Sequence, residues 1–269
     1  MGFLEHLEEL RWRLIRAIIS VLIGAVVVFT LPSFLFDGVI FGPMYADFPT
    51  YRVFCALSGA LGLGDKLCFG DIGLELQSIA MVSQITMHIV ASAIAGFIIA
   101  FPYVFYQLWA FVLPGLKDQE KKMARGMTFW VSVLFIGGVL FGYFMIVPLS
   151  VRFLGNYQVS DLVQNNITIA SYVTTVSTLT LATGILFQLP VLVYVLSKLG
   201  IVTPSLLKTY RRHALVSVLI LSAIITPPDI ASQVLVTLPI MVLYEVSIWI
   251  SKRVQKRSQK TMTDSIQSS

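Results

Sequence analysis

The chain has 269 residues, of which 57% are hydrophobic and 12% are charged, and its mean hydropathy is +0.84. This composition excludes an ordinary soluble protein, because too little polar surface is available to cover a globule of this length. We predict an all-α polytopic membrane protein. The formal charge of +5 reflects topology and contact with lipid headgroups, and nucleic acid is not an expected partner, since no basic and aromatic stripe lies outside the apolar segments.

Lysine and arginine are sorted among the connections between the apolar segments. Sixteen of the nineteen fall in alternate connections, and only Arg52, Lys66 and Arg152 lie in the others. Because cytoplasmic loops carry the excess of these residues, we expect both termini in the cytoplasm and an even number of spans. The first apolar segment follows charged residues without the pattern of a cleavable leader or a transit peptide, so it is expected to stay in the protein as a span. The plasma membrane of a bacterium or archaeon is the simplest location, with an organellar membrane as the alternative, and we predict the bacterial cytoplasmic (inner) membrane.

Six apolar segments are predicted to span the bilayer. In chain order they are residues 14–36, 79–113, 127–149, 169–198, 213–227 and 231–250. The second is long enough to tilt or project, and the fifth is short and joined to the sixth by a tight turn. Prolines in or beside the spans predict a bent bundle with a concave face. Residues 1–250 form one transmembrane domain, followed by a basic and then disordered cytoplasmic tail at 251–269.

The connection between the first two predicted spans, residues 37–78, is the largest region outside the membrane. Its glycines, prolines and acids predict an extracytoplasmic cap of loops and short helices. Cys55 and Cys68 lie thirteen residues apart in this cap, where the oxidising compartment permits either a disulfide or two separate thiols. Neither alternative indicates a metal site.

The first fourteen residues have the pattern of an amphipathic helix at the cytoplasmic interface. Apolar side chains recur there at helical spacing, and the acids and bases between them favour intrahelical pairs such as Glu9 with Arg13. The alternative is that the carboxylates form a landing site for a cationic ligand on a basic face. An aromatic segment, Tyr106–Leu116, precedes a charged loop that contains Glu120, and it has the composition of an interfacial belt.

Two polar residues within the predicted spans are candidates for function. Glu245 is the only acid well inside one of them, about five residues from its cytoplasmic end, and is either a functional carboxylate or a protonated or snorkelling group. Gln188 lies beside Pro190, where its side chain could bond backbone released by a bend.

Six motifs occur in order along the chain: His6-Leu-Glu-Glu-Leu-Arg11, the segment Tyr106–Glu120, Phe141-Gly-Tyr-Phe144 with Pro148-Leu149, Phe187-Gln-Leu-Pro190, Thr226-Pro-Pro-Asp229 with Ser232-Gln233, and Leu243-Tyr-Glu245. Together they resemble the motifs of the TatC family. TatC is the six-span receptor of the twin-arginine translocase. The similarity extends from His6 to about Ile250.

The resemblance implies recognition of signal peptides that carry two consecutive arginines, on folded proteins bound for export. It places the arginine-binding acids at Glu9 and Glu120, with Phe111 and Arg11 in the same cytoplasmic site. Guanidinium groups suit this role because a carboxylate accepts two of their hydrogen bonds, whereas lysine makes a point contact. No cofactor and no catalytic activity are implied.

The family also implies single-span partners of the TatA and TatB type and assembly in several copies for transport driven by the proton-motive force. Thr226, Asp229 and Gln233 match the polar patch that contacts those partners, although Thr226 and Gln233 could instead cap the turn and the last helix. Gln188 departs from the family, since many relatives carry glutamate there. An amide keeps its hydrogen bonds but cannot ionise.

Two other classes of protein share parts of this pattern. An ion- or proton-coupled secondary transporter would have about six spans, broken helices and a buried acid. The absence of an internal repeat and of a second charge paired at mid-membrane depth disfavours it. An intramembrane aspartyl protease is suggested by the letters Gly62-Leu-Gly-Asp65, but that chemistry needs a second carboxylate on a neighbouring span.

Overall fold

The computed structural model describes residues 3–60, 62, 68, 75–112, 118–158, 160, 165–198, 200–225 and 230–267. Its side chains are described except at residues 3, 4, 6, 112, 118–125, 225, 230–232 and 257–267. The helices of this part of the chain are α1 (Phe3–Phe29), α2 (Pro49–Ala60), α3 (Ser83–Val112), α4 (Asp118–Phe141), α5 (Val147–Asn156), α6 (Ile169–Leu186), α7 (Leu189–Lys198), α8 (Pro204–Thr209), α9 (Arg211–Ile225) and α10 (Ile230–Gln267).

The all-α prediction is confirmed, with one small addition. Strand β1 (Leu76–Gln77) pairs in parallel with β2 (Ile167–Thr168) over two residues. Two π-helical segments, Phe34–Ile40 and Gly142–Ile146, and a single 3₁₀ turn at Gly42–Met44 complete the regular structure of the described residues.

Five segments of the described residues are long and apolar enough to cross a membrane: Leu7–Phe29, Ser83–Phe111, Gly126–Asn156, Ile169–Lys198 and Gln233–Lys256. The fifth predicted span, residues 213–227, corresponds to α9, which has only 15 residues. At about 1.5 Å per residue α9 is roughly 22 Å long, which is less than the hydrocarbon thickness of about 30 Å. The count of six spans therefore stays a prediction, since α9 could supply the sixth only by crossing a thinned bilayer.

Two boundaries differ from the sequence-based expectation. The first span was expected to reach residue 36, but α1 ends at Phe29 because Pro32 has no N–H for the carbonyl of Val28. The N–H of Leu31 bonds that carbonyl instead, at 3.0 Å. The tail expected to be disordered is helical as far as Gln267, because residues 251–267 contain no proline or glycine and are rich in good helix formers.

The chain divides into two compact units, Met1–Leu181 and Ala182–Ser269. In the first unit, α1 and α3 cross at a pair of glycines. A Cβ atom added to Gly96 would lie 2.3 Å from the backbone nitrogen of Ala25, and one added to Gly24 would lie 2.9 Å from the carbonyl oxygen of Gly96. The two backbones therefore touch at this crossing, as small residues allow in membrane helices. Further along, Phe29 stacks on His88 with ring centroids 4.0 Å apart, so the two helices run antiparallel.

A column of aromatic rings stiffens α3. Phe97, Phe101, Phe105 and Trp109 follow one another at four-residue spacing, with successive ring centroids 5.9, 6.3 and 6.0 Å apart. Phe101 also stacks on Phe135 of α4 at 3.6 Å. The column continues into the last turns of α3, and Trp109 is 8% exposed there. The contact with Phe135 packs this aromatic face of α3 against α4.

Three tyrosines, Tyr51 and Tyr172 buried and Tyr143 partly buried, fasten the cap to the bundle. Their hydroxyls donate to backbone carbonyls: Tyr51 to Pro43 at 2.9 Å and Pro148 at 3.2 Å, Tyr143 to Val39 at 2.6 Å, and Tyr172 to Ile40 at 2.9 Å. Burial raises the pKa of Tyr51 to about 12, with Arg152 acting in the opposite direction. These hydrogen bonds satisfy backbone carbonyls of the π-helical segment, of the 3₁₀ turn and of Pro148 in α5. Burying such carbonyls without a donor would be costly.

The break between α4 and α5 contributes a further contact with the cap. Pro148 cannot donate to the carbonyl of Phe144, and the π-helical segment Gly142–Ile146 precedes it. The hydroxyl of Thr50, in α2, donates to that carbonyl instead. In the same cap, Cys55 forms a disulfide with Cys68.

In the second unit, α10 is the helix against which α7, α8 and α9 pack. Ser197 and Ser251 share a hydrogen bond of 2.8 Å between α7 and α10, and the hydroxyl of Tyr244 donates to the carbonyl of Leu207 in α8 at 2.7 Å. Short helices that could not bury themselves alone are thereby fixed along one long helix.

Candidate functional site

Glu9 already binds a guanidinium group in this structure. Nε and Nη2 of Arg13 donate to its Oε1 at 2.9 and 2.5 Å, one helical turn further along α1. The side chains of Arg13 and Glu9 are 23% and 27% exposed, so the pair is partly shielded from water. The intrahelical pair expected from the four-residue spacing is confirmed, and it shows that Glu9 is oriented to accept a planar cation.

A cavity of about 420 Å³ opens beside this pair, lined by Glu9, Trp12, Arg13 and Arg16. These positions recur at intervals of three and four residues and so share one face of α1. Trp12 is 53% exposed and gives the cavity an aromatic wall. Sequence reasoning did not single out Trp12 or Arg16, although their spacing from Glu9 would have identified them.

Arg11 does not line this cavity. Two residues along a helix correspond to a rotation of about 200°, which carries its side chain to the face opposite Glu9. Arg13, and not Arg11, shares the face of Glu9 on α1, while the role of Arg11 in the site stays a prediction.

Phe111 lies at the same level of the bundle as Glu9. Each is fifteen residues from the glycine of its own helix at the α1–α3 crossing, Glu9 from Gly24 and Phe111 from Gly96. Because the helices run antiparallel, both residues lie about 22 Å from the crossing in the same direction. Phe111 is partly buried in the final turn of α3.

Glu120 belongs to the first turn of α4, which follows α3 after a short connection. The backbone of Glu120 is described but its side chain is not. Thr226 and Asp229 lie wholly outside the described residues. The backbone thus brings Glu120 to the end of the bundle that also carries Glu9 and Phe111.

Glu245 has a counterion. Its Oε2 accepts a hydrogen bond from Nη2 of Arg211, the first residue of α9, and the two side chains are 47% and 50% exposed. Next to it, Tyr244 anchors α8 through the carbonyl of Leu207. The pair joins α9 to α10 across 34 positions, a separation at which sequence spacing carries no signal.

The remaining intramembrane residues lie at helix junctions. Gln188 is in the turn between α6 and α7, where its carbonyl accepts from the N–H groups of Val191 and Leu192, both at 3.0 Å. Pro190 follows in the first turn of α7, where no donor is needed. Gln233 donates from Nε2 to the carbonyl of Leu219 at 3.2 Å, so its amide joins α10 to α9.

The molecule is thus a polytopic helical membrane protein with a carboxylate and guanidinium site at one end. The family described as "Sec-independent protein translocase protein (TatC)" matches residues 5–239. The TatC protein of a Blattabacterium is 37% identical over 258 residues, covering 96% of this chain and 97% of that protein. The TatC of Aquifex aeolicus is 31% identical over 261 residues, covering 97% and 98%.

Two solved structures agree. A crystal structure of the twin-arginine translocase receptor TatC matches 93% of this chain and 99% of its own, with a TM-score of 0.67 and 31% identity. A second, in the detergent DDM, matches 91% and 99% with a TM-score of 0.71 and 32% identity. The chain belongs to the TatC family of Sec-independent protein translocase proteins, and the resemblance stated from its motifs is confirmed.

Proposed function

We propose that this chain is the receptor subunit of a twin-arginine export system. It binds the signal peptides of folded cargo proteins at the cytoplasmic face and acts by binding, without catalysing a reaction. The observation that carries this proposal is the bond between Glu9 and a guanidinium group beside an open cavity. Phe111 lies at the same level, and Glu120 lies at the same end.

The chemistry of the site fits an arginine pair followed by an apolar stretch. Glu9 and Glu120 each supply a carboxylate, which takes a guanidinium more selectively than an ammonium group. Trp12 and Phe111 supply apolar surface on which the residues around the arginines can pack. Charge pairing would provide discrimination, while burial of the apolar stretch would provide affinity.

Binding of a synthetic peptide with two consecutive arginines to the purified full-length chain tests this proposal. Each charge-assisted hydrogen bond contributes about 1.5 to 3 kcal/mol, so Glu9→Gln and Glu120→Gln are each expected to weaken binding about tenfold or more. Glu8→Gln is the matched control, because Glu8 is exposed and does not line the cavity. If both test variants bind as tightly as the control, the assignment is wrong.

The orientation forms part of the same proposal. Both termini face the cytoplasm, and the cap faces the opposite compartment of a bacterial inner membrane. A single cysteine placed at Glu5 or at Glu75 in a variant without Cys55 and Cys68 can be labelled in intact cells with a membrane-impermeant reagent. We expect labelling at position 75 alone; labelling at position 5 alone would reverse the topology.

We further propose that the junction of α9 and α10 contacts single-span TatA- and TatB-type partners, which assemble with several copies of this chain for translocation driven by the proton-motive force. The length of α9 supports this, because a helix of about 22 Å is shorter than the usual hydrocarbon thickness of about 30 Å, so a membrane thinned around this junction is the place where a partner helix can approach it. Ile224, 75% exposed, presents apolar surface beside that junction. Thr226, Asp229 and Gln233 are the residues proposed for contact.

Copurification with a coexpressed partner tests this contact. Gln233→Ala should reduce recovery of the partner, whereas Gln255→Ala, an exposed glutamine near the end of the α10 span, should leave it unchanged. Equal recovery in both variants would remove Gln233 from the contact.

A further inference from the structure

The guanidinium bound to Glu9 belongs to the chain itself. Both nitrogens of Arg13 converge on Oε1 of Glu9, and among the described residues no hydrogen bond reaches Oε2. The order of the pair, with the acid one turn ahead of the base, is the favourable one on a helix. Partial burial strengthens it relative to a fully exposed pair.

An incoming arginine would offer Glu9 the group that Arg13 already supplies. It meets a carboxylate whose charge is balanced and one of whose oxygens is engaged. It also meets the positive charge of Arg13, and that of Arg16 on the same cavity wall. Binding therefore requires either that Arg13 leave Oε1 or that the two guanidinium groups share the carboxylate.

We propose that Arg13 is an intramolecular competitor for Glu9 and thereby lowers the affinity of the signal-peptide site, so that only tightly binding peptides are retained. This inference rests on the proposed function and adds a residue that weakens binding. Every ligand that needs Glu9 meets the same competition, so Arg13 lowers the affinity for arginine and lysine peptides by a common factor. The ratio between the two affinities comes from Glu9 and Glu120. By raising every Kd, Arg13 leaves the ligands of lower affinity with a Kd above their concentration, so that they stay unbound.

The competitor role and a supporting role predict opposite changes in peptide affinity when Arg13 is removed. If Arg13 only held Glu9 in position, its removal would weaken binding. As a competitor, its removal releases Glu9, and binding becomes tighter. A helix pair of this kind is weak enough to be exchanged, since such pairs stabilise isolated helices by only a few tenths of a kcal/mol and remain modest when partly shielded.

The test measures the Kd of two fluorescent peptides, one with two arginines and one with two lysines, for the full-length chain in detergent. Arg13→Gln should tighten binding of both peptides by about two- to fivefold, with their ratio unchanged. Arg13→Lys, which keeps the charge but loses the fork of donors, should tighten binding less. Lys252→Gln removes the same charge from an exposed position on α10 and controls for the overall field.

A double variant separates the two proposals. In the Glu9→Gln background, Arg13→Gln should bring a clearly smaller gain than in the parent, because the carboxylate for which it competes is gone and only its charge still opposes an incoming cation. If Glu9→Gln leaves the Kd unchanged, the proposed function fails at this residue. If Glu9→Gln weakens binding but Arg13→Gln and Arg13→Lys both leave it unchanged or weaken it, only the competitor role is overturned.

Discussion

The contact of α1 with α3 provides the sharpest test of the fold, because it is made by glycine backbones. Gly96→Ala places a methyl group 2.3 Å from the nitrogen and 2.6 Å from the Cα of Ala25. An ordinary contact between such atoms needs about 3.5 Å, so the helices must separate by roughly 1 Å. A gap of that size forfeits a quarter to a half of the dispersion energy of each contact, and overpacked sites typically cost about 1 to 3 kcal/mol.

We therefore expect Gly96→Ala to destabilise the protein by about 3 kcal/mol and to impair peptide binding by shifting Glu9 relative to Phe111. Gly24→Ala, whose new Cβ would lie 2.9 Å from the carbonyl oxygen of Gly96, should cost about 1 kcal/mol. Gly137→Ala is the matched control on α4, where an added Cβ has nothing within 4 Å, and better helix propensity makes it neutral or slightly stabilising.

Thermal unfolding in detergent, followed by the loss of a monodisperse size-exclusion peak, gives the order of the three variants. The predicted order of stability is Gly137→Ala above Gly24→Ala above Gly96→Ala. If Gly96→Ala is as stable as Gly137→Ala, the backbones do not touch, and the register that brings Glu9 level with Phe111 is wrong.

Three other predictions concern the cap and the second unit. Replacing Cys55 and Cys68 by serine should lower the stability of the cap by about 3 kcal/mol, the entropy of closing a loop of this length, measured by protease resistance of the cap. Because burial raises the pKa of Tyr51 from 10.0 to about 12, folding stability should fall as pH rises from 10 through 12, and Tyr51→Phe should flatten this dependence in thermal unfolding. Arg211→Gln and Glu245→Gln should each destabilise the protein, with a coupling of about 1 kcal/mol in a double-mutant cycle.

Each of these has a distinct contrary outcome. If the cap of the double-serine variant resists protease as well as the cap of the parent, the disulfide does not restrict the unfolded cap. A Tyr51→Phe variant that loses stability above pH 10 as steeply as the parent would assign the transition to other groups. Strictly additive effects of the Arg211 and Glu245 substitutions would show that their bond contributes nothing measurable.

Local spacing predicted one contact of the proposed signal-peptide site. Glu9 and Arg13 are four residues apart, and a helix brings such residues together without reference to the rest of the chain. The same local rule, applied to two-residue spacing, would have placed Arg11 on the opposite face. The motif match adds Arg11 to the proposed site on other grounds, and that assignment stays a prediction.

Contacts between helices were not predictable in this way. Arg211 bonds Glu245 only because α9 and α10 pack side by side, and 34 positions separate the two residues. The cap likewise depends on Pro148, which leaves the carbonyl of Phe144 to the hydroxyl of Thr50. Sequence reasoning predicted bends at prolines, but not which distant donor would use the carbonyl that each bend exposes.

The sequence by itself determined the class of the protein, its apolar segments and the pairing within α1, since hydropathy and helical periodicity are properties of short stretches of chain. The tertiary structure decided which residues stand level with one another. The close approach at Gly24 and Gly96 sets the register of α1 on α3, and through it the common level of Glu9 and Phe111. Register depends on how the surfaces of two helices fit together, and the sequence of one helix does not specify the surface of the other.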